Sequence, residues 1–267
     1  PMTKKYNVVS VCNALVDILI KADDSDLKEL NLTKGNMHLV EADAQKKLLE
    51  HFSSKEKVTE LGGSSLNAIR SLAALNNKTF FAGMVSNDVF GEQIKSRMGE
   101  LSIDHQLGES SEPTGSCVVL ITPDGERTMH THLGASRLYG PDQVPAAAIE
   151  SAEIFHFCGY QWDTDDQKAA IIESIKLAKA AKTLISFDVA DPFIVGLHKD
   201  AFAEVISNDA DIVFANKEEA KLLYDLSPEE TAAKIAASGA VAVVKLGADG
   251  ALIQRGDQVV KVDVVKT

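Results

Sequence analysis

The chain has 267 residues, of which 45% are hydrophobic and 25% charged, and a formal net charge of -12. That size suits one large α/β domain or two modest ones, and the composition is that of a globular protein. The acidic balance argues against nucleic acid and anionic membrane as partners.

No apolar run approaches the length of a membrane span. The N-terminal stretch lacks a long apolar segment ending in a small-residue cleavage site, so a cytoplasmic protein is expected. Cys12, Cys117 and Cys158 are odd in number and show no metal spacing, which points to buried free thiols.

Residues 8–12 read as a first apolar strand. Asn13-Ala14-Leu15-Val16-Asp17 follows it. A carboxylate at a strand mouth can accept hydrogen bonds from vicinal hydroxyls, or it can simply cap a turn. Residues 17–40 carry short strands, 18–21 and 37–40, around a polar stretch. Gly62 and Gly63 then precede Ser64, Ser65 and Asn67. Leu66, Ile69, Leu72 and Ala73 give residues 65–76 a helical period. Glycines before a helix start allow close approach to exposed N–H groups, which suits a small-molecule pocket. A strand at 79–85 and a helix at 88–101 follow.

Residues 116–132 read as a hairpin turning at Pro123-Asp124-Gly125. Arg127, just past the turn, is either a residue that swings over a ligand or a solvated strand charge. His130 and His132 have no third partner for zinc and read as surface or lid residues. Alternate residues 118, 120 and 122, and 119 and 121, are apolar on both faces. Both faces then need cover, so the strand predicts a homodimer through this small sheet.

Strands at 153–158, 183–187, 211–214 and 241–245 alternate with helices at 166–182 and 228–238. Ser227-Pro228-Glu229-Glu230 is a capping box with proline at the first helical position. Asp188 and Asp191 follow one strand end, where doubly wound folds bind ligands. Asp191 before Pro192 equally suits a helix cap. Asn216-Lys217-Glu218-Glu219 follows the next strand end, and its plain reading is also a cap. Lys245-Leu246-Gly247-Ala248-Asp249-Gly250 is either a phosphate-binding glycine loop or a β-turn. The alternation predicts a doubly wound, mostly parallel α/β sheet with helices on both faces, plus a small β-sheet lid. The main domain is expected at 1–16, 41–101 and 133–267, and the lid at 17–40 and 102–132.

Gly62-Gly63, Asn67, Gly83, Asp88 and Gly91, in that order, resemble the first signature of the ribokinase-like (PfkB) carbohydrate kinase family. One glycine of that pattern is replaced, in Ser86-Asn87-Asp88. The segments NALVDIL, GERTMHTHLGAS and ADPF look most like the adenosine-kinase-like branch. The resemblance implies an ATP- and Mg²⁺-dependent kinase of a sugar or nucleoside alcohol. It implies that Asn13, Asp17, Gly62, Gly63, Asn67 and Arg127 face the substrate. It places Asp188, Asn216, Lys245, Gly247 and Gly250 toward ATP, and Glu219 toward a magnesium-bound water. The family's second signature, with its aspartate base, is expected beyond Thr267, so a chain ending there is expected to be inactive. A non-catalytic sugar- or nucleotide-binding module is the alternative. A Rossmann oxidoreductase lacks its Gly-x-Gly-x-x-Gly after the first strand.

Overall fold

The computed structural model describes residues 4–265. The chain opens with β1 (Tyr6–Val11), β2 (Leu15–Lys21), α1 (Asp24–Glu29), β3 (Met37–Leu39), α2 (Ala42–His51), β4 (Lys57–Gly62), α3 (Ser64–Ala74), β5 (Thr79–Ser86) and α4 (Val89–Glu100). It continues through β6 (Asp104–Ser110), β7 (Gly115–Ile121), β8 (Arg127–His132), α5 (Ala146–Glu150), β9 (Ala152–Cys158), α6 (Asp165–Ala180), β10 (Leu184–Asp188) and α7 (Pro192–Asn208). It closes with β11 (Ile212–Asn216), α8 (Lys217–Tyr224), α9 (Pro228–Ala237), β12 (Val241–Lys245), β13 (Ala251–Arg255) and β14 (Gln258–Val262).

Nine strands form the main sheet, in the order β14-β13-β12-β11-β10-β9-β1-β5-β6. Pairing is parallel from β6 to β12 and antiparallel only at the β12–β13–β14 edge. Central strands covered on both faces must be apolar throughout, and β5 (TFFAGMVS) is buried over seven of its eight residues. The chain winds outward from β1 in both directions, so the order reverses between β1 and β9. Ligands of such sheets bind beyond the carboxyl ends of the strands at that reversal.

Caps set where the helices begin. Thr164 accepts from the Gln167 N–H at α6, Asp191 from Phe193 and Ile194 at α7, and Ser227 from Glu230 at α9. Each contributes about 1 kcal/mol.

Five strands form the second sheet, in the order β3-β8-β7-β2-β4. The β7–β8 hairpin turns as the sequence predicts. The Thr122 hydroxyl donates to Asp124 Oδ1 at 2.7 Å, and Gly125 takes a φ of 83°. Two strands join a different sheet from the one expected. The 104–110 strand, expected with the lid, pairs with β5 in the main sheet, Phe80 opposite Asp104. The 57–62 strand, expected in the main domain, pairs with β2 in the small sheet, Leu15 opposite Gly62. Local pattern marks a strand but not its partner, which long-range hydrogen bonding selects.

The small sheet's second face also differs from expectation. Ile18, Ile20, Val118 and Leu120 sit in one buried cluster with Leu27 of α1, Leu48 and the adjoining Phe52 of α2, and Ile94 and Met98 of α4. The cover that the sequence assigned to a second subunit comes from the chain's own helices. That face therefore gives no ground for the expected homodimer. Among the described residues no helix is long and apolar enough to cross a membrane.

Candidate active site

A cavity of about 250 Å³ lies at the carboxyl edge of the main sheet, under the small sheet. Asn13, Asp17, Gly63 and Asn67 line it, and so do Met37, Leu39, Met129 and Leu133. The structure thus brings together residues far apart in the sequence; Asn13 and Asn67 alone are separated by 54 positions.

Asn13 leaves β1 and is 5% exposed. Its Oδ1 accepts from the side-chain amides of Gln161 and Gln167, both at 2.9 Å. That fixes the amide orientation. Its Nδ2 has no protein partner among the described residues and remains available to donate into the cavity it lines. Gly63 caps α3 with a φ of 105°, and a Cβ there would strike the Asn13 carbonyl oxygen. A Cβ at Gly62 would strike Asp17 Oδ1. The paired glycines are therefore explained by two backbones and one carboxylate converging. Asn67, in the second turn of α3, is exposed at the cavity rim.

Burial pushes the Asp17 carboxyl up to about 6, and the charges of Arg70 and Arg127 pull the other way. Arg127 is exposed on β8 and does not line the cavity. Its influence on Asp17 is through space. Arg70 is held in place by donating to the Leu61 carbonyl at 2.8 Å. Beside Asp17, burial pushes the Cys117 thiol up to about 12, and the nearby carboxylate adds to the effect. It is a neutral, apolar wall at physiological pH. All three cysteines are buried free thiols, and Cys12 and Cys158 approach to 3.4 Å beneath the cavity.

Asp88 and Gly91, quoted for the same signature, do not line this cavity. Asp88 accepts from the Gly91 and Thr114 N–H groups at 2.8 and 2.9 Å. A Cβ on Gly91 would strike the Ser86 carbonyl. This part of the motif ties α4 to the start of β7.

A second group forms at the ends of β10, β11 and β12. Asn216 stands opposite Lys245, and Asp188 opposite Phe214. Lys245 Nζ lies 3.4 Å from Asp188 Oδ2 and is half exposed. Asp188 Oδ1 accepts from the Ala190 N–H at 2.9 Å, within a turn where Ala190 takes a φ of 82°. Ala190 also lines the cavity, so this one turn links the two groups. Gly247 has a φ of 66° with open space around it. Gly250 has a φ of 86°, and a Cβ there would strike the Val262 carbonyl.

Glu219 is 2% exposed. Its Oε2 accepts from the Asn216 N–H at 2.7 Å and its Oε1 from Asn216 Nδ2 at 2.8 Å. Burial, then the charge of Asp188 among the raising causes, holds its carboxyl above the usual range, against the Asn216 hydrogen bond. Both oxygens are thus engaged in the helix cap. Among the described residues no three His, Cys, Asp or Glu side chains gather as metal ligands. Among the described residues there is thus no ready-made metal cage, and Glu219 orients Asn216. The expected aspartate base lies outside the described residues.

Sequence reading missed Gln161, Gln167, Arg70, Tyr160 and Asp163. None belongs to a motif. Each reaches the cavity or its first ring of supports only through folding.

The family model "pfkB family carbohydrate kinase" matches residues 37–267. Among curated proteins, the chain is 26% identical over 131 residues to the probable fructokinase-3 of Arabidopsis thaliana, covering 48% of this chain and 38% of that one. It is 27% identical over 205 residues to a 5-dehydro-2-deoxygluconokinase of Clostridium perfringens, covering 71% of this chain and 60% of that one. The chain thus spans less than two thirds of these relatives. Among solved structures, an adenosine kinase from Sinorhizobium meliloti superimposes with a TM-score of 0.90 at 31% identity, covering 98% of this chain and 82% of that one. A probable sugar kinase from Rhizobium etli gives 0.91 at 30%, covering 99% and 81%.

Proposed function

We propose that this chain, which belongs to the pfkB family of carbohydrate kinases, binds a nucleoside and serves ATP-dependent phosphoryl transfer to one of its sugar hydroxyls. The observation that carries this reading is the shape of the cavity's chemistry. Asn13, Asp17 and Asn67 gather beside Gly63, with Gly62 behind Asp17, while Met37, Leu39, Met129, Leu133 and Ile194 supply apolar walls. A free sugar carries hydroxyls all round and would leave those walls facing polar atoms. A nucleoside presents hydroxyls at one end and a flat ring at the other. The likeness to an adenosine kinase supports the same choice.

In this reading Asp17 accepts from two sugar hydroxyls, Asn13 Nδ2 donates to one, and Gly62–Gly63 lets the sugar lie against the backbone. Lys245 and the 247–250 turn face the nucleotide phosphates, where a cation and open N–H groups offset negative charge. The apolar walls keep water from the transferring group. Magnesium enters this reading bound to the nucleotide.

Calorimetric titration with adenosine, ribose and fructose tests the reading. Adenosine should bind at least about tenfold tighter than either sugar, a difference of about 1.4 kcal/mol. Asp17→Ala should abolish that binding while leaving the unfolding transition cooperative. Fructose or ribose binding as tightly as adenosine would overturn the nucleoside assignment.

A further inference from the structure

Two carboxylates line the cavity, Asp17 and Asp163. The sugar end uses Asp17. Asp163 follows β9 and the short turn Gly159–Trp162, and its side chain is 22% exposed. Its Oδ2 is fully buried and meets Arg137 Nε at 2.8 Å, without the geometry of a hydrogen bond. Its Oδ1 has no protein donor among the described residues, so the accessible oxygen is the one left without a partner.

Position sets what Oδ1 can meet. Asp163 also lines an adjoining cavity, together with Glu41, Glu112 and Arg137, and that cavity touches neither Asn13, Asp17 nor Asn67. Leu39, Thr131 and Leu133 line both cavities with Asp163, so Asp163 stands at the end of the site that the apolar walls form. A flat ring held by those walls has a polar outer edge. A buried polar edge without a partner is costly, and an ionised carboxylate only accepts hydrogen bonds.

We propose that Asp163 is a specificity-determining residue, its Oδ1 accepting a hydrogen bond from an amino group on the distal edge of the nucleoside base. The inference rests on the nucleoside reading and adds the chemistry of the base. Arg137 holds the carboxylate in place from its buried side. A base with a carbonyl at that edge would set oxygen against oxygen and bind poorly. An amino-bearing base satisfies Oδ1 directly.

Titration calorimetry with adenosine, purine riboside and ribose decides the matter. Purine riboside is adenosine without the amino group. The wild-type protein should bind adenosine at least about tenfold tighter than purine riboside, as a hydrogen bond to a charged group commonly gives. Asp163→Leu should bring the ratio near one, mainly by weakening adenosine. Arg137→Leu should keep a preference for adenosine, since the carboxylate remains. A purely structural role would weaken both nucleosides alike and leave the ratio intact, which overturns the proposal. Equal binding of the two by wild type overturns it too. If Asp163→Leu does not fold, Asp163→Ala, which also removes the acceptor, is read in its place, and an undiminished ratio there overturns the proposal. Failure of the nucleoside reading looks different: neither nucleoside would bind better than ribose.

Discussion

Asp17 has opposite consequences for binding and for stability. Its folded pKa, about 6, lies above the usual carboxylate value because burial disfavours the charge. Between those values the native state holds more protons than the unfolded chain, so this group adds stability as pH falls from about 6 towards about 4. Hydroxyl binding needs the ionised form and weakens over the same range. His130 acts in the contrary sense on stability. Burial and then His38 lower it to about 4, so its contribution is lost as pH falls from its unfolded value. The clean readout is the difference between wild type and Asp17→Asn. Urea unfolding should show wild type gaining on the variant as pH drops from 7 to 4.5, while calorimetry shows nucleoside affinity falling in wild type alone. At Gly62 the constraint is steric. Gly62→Ala should displace the Asp17 carboxylate and weaken nucleoside binding at least about tenfold, whereas ATP binding stays unchanged. Unaltered nucleoside affinity would show that Asp17 does not hold the sugar.

At the scale of elements, two capping boxes of similar sequence differ in burial. At α9 the Ser227 and Glu230 pair is exposed. At α8 the Asn216 cap faces Glu219, which is buried and depends on Asn216 for both oxygens. Ser227→Ala should cost about 1 kcal/mol by chemical denaturation. Asn216→Ala should cost more, about 2–3 kcal/mol, because it leaves a buried carboxylate with one of its two donors. Adding Glu219→Leu to Asn216→Ala should restore part of the loss; no restoration would mean that the carboxylate is not what makes this cap expensive to break. The same element carries Asn216 to the edge of the proposed nucleotide group, so its cap is also what orients that end of the site.

For the molecule as a whole, the two proposed binding groups share one edge of one sheet. The cavity lies at β1 and β9, and Lys245 lies three strands beyond β9, after β10 and β11. The turn from Asp188 to Ala190 joins them. Lys245→Ala should raise the Kd for ATP by roughly tenfold or more, the loss expected of one charge-assisted contact. It should leave the adenosine Kd within about twofold, as expected of separate sites. Equal loss of both ligands would mean that the lysine supports the sheet edge rather than the nucleotide.

Much of this was written in the chain. Local chemistry determined the alternating strands and helices, the Pro-Asp-Gly hairpin, the caps at Asp191, Asn216 and Ser227, and the glycines at 62 and 63. Each depends on a few neighbouring residues and a backbone preference. The tertiary structure alone decided which sheet takes residues 57–62 and 104–110, because strand pairing is settled by hydrogen bonds between distant segments. It alone showed that α1 and α2 cover the small sheet, and that Glu219 in its cap is buried. It alone brought Gln161, Gln167, Arg70 and Asp163 to the site. Such residues carry no local signature. Their role comes from a cavity that exists only once β1, β2, β8, α3 and the turn after β9 have met.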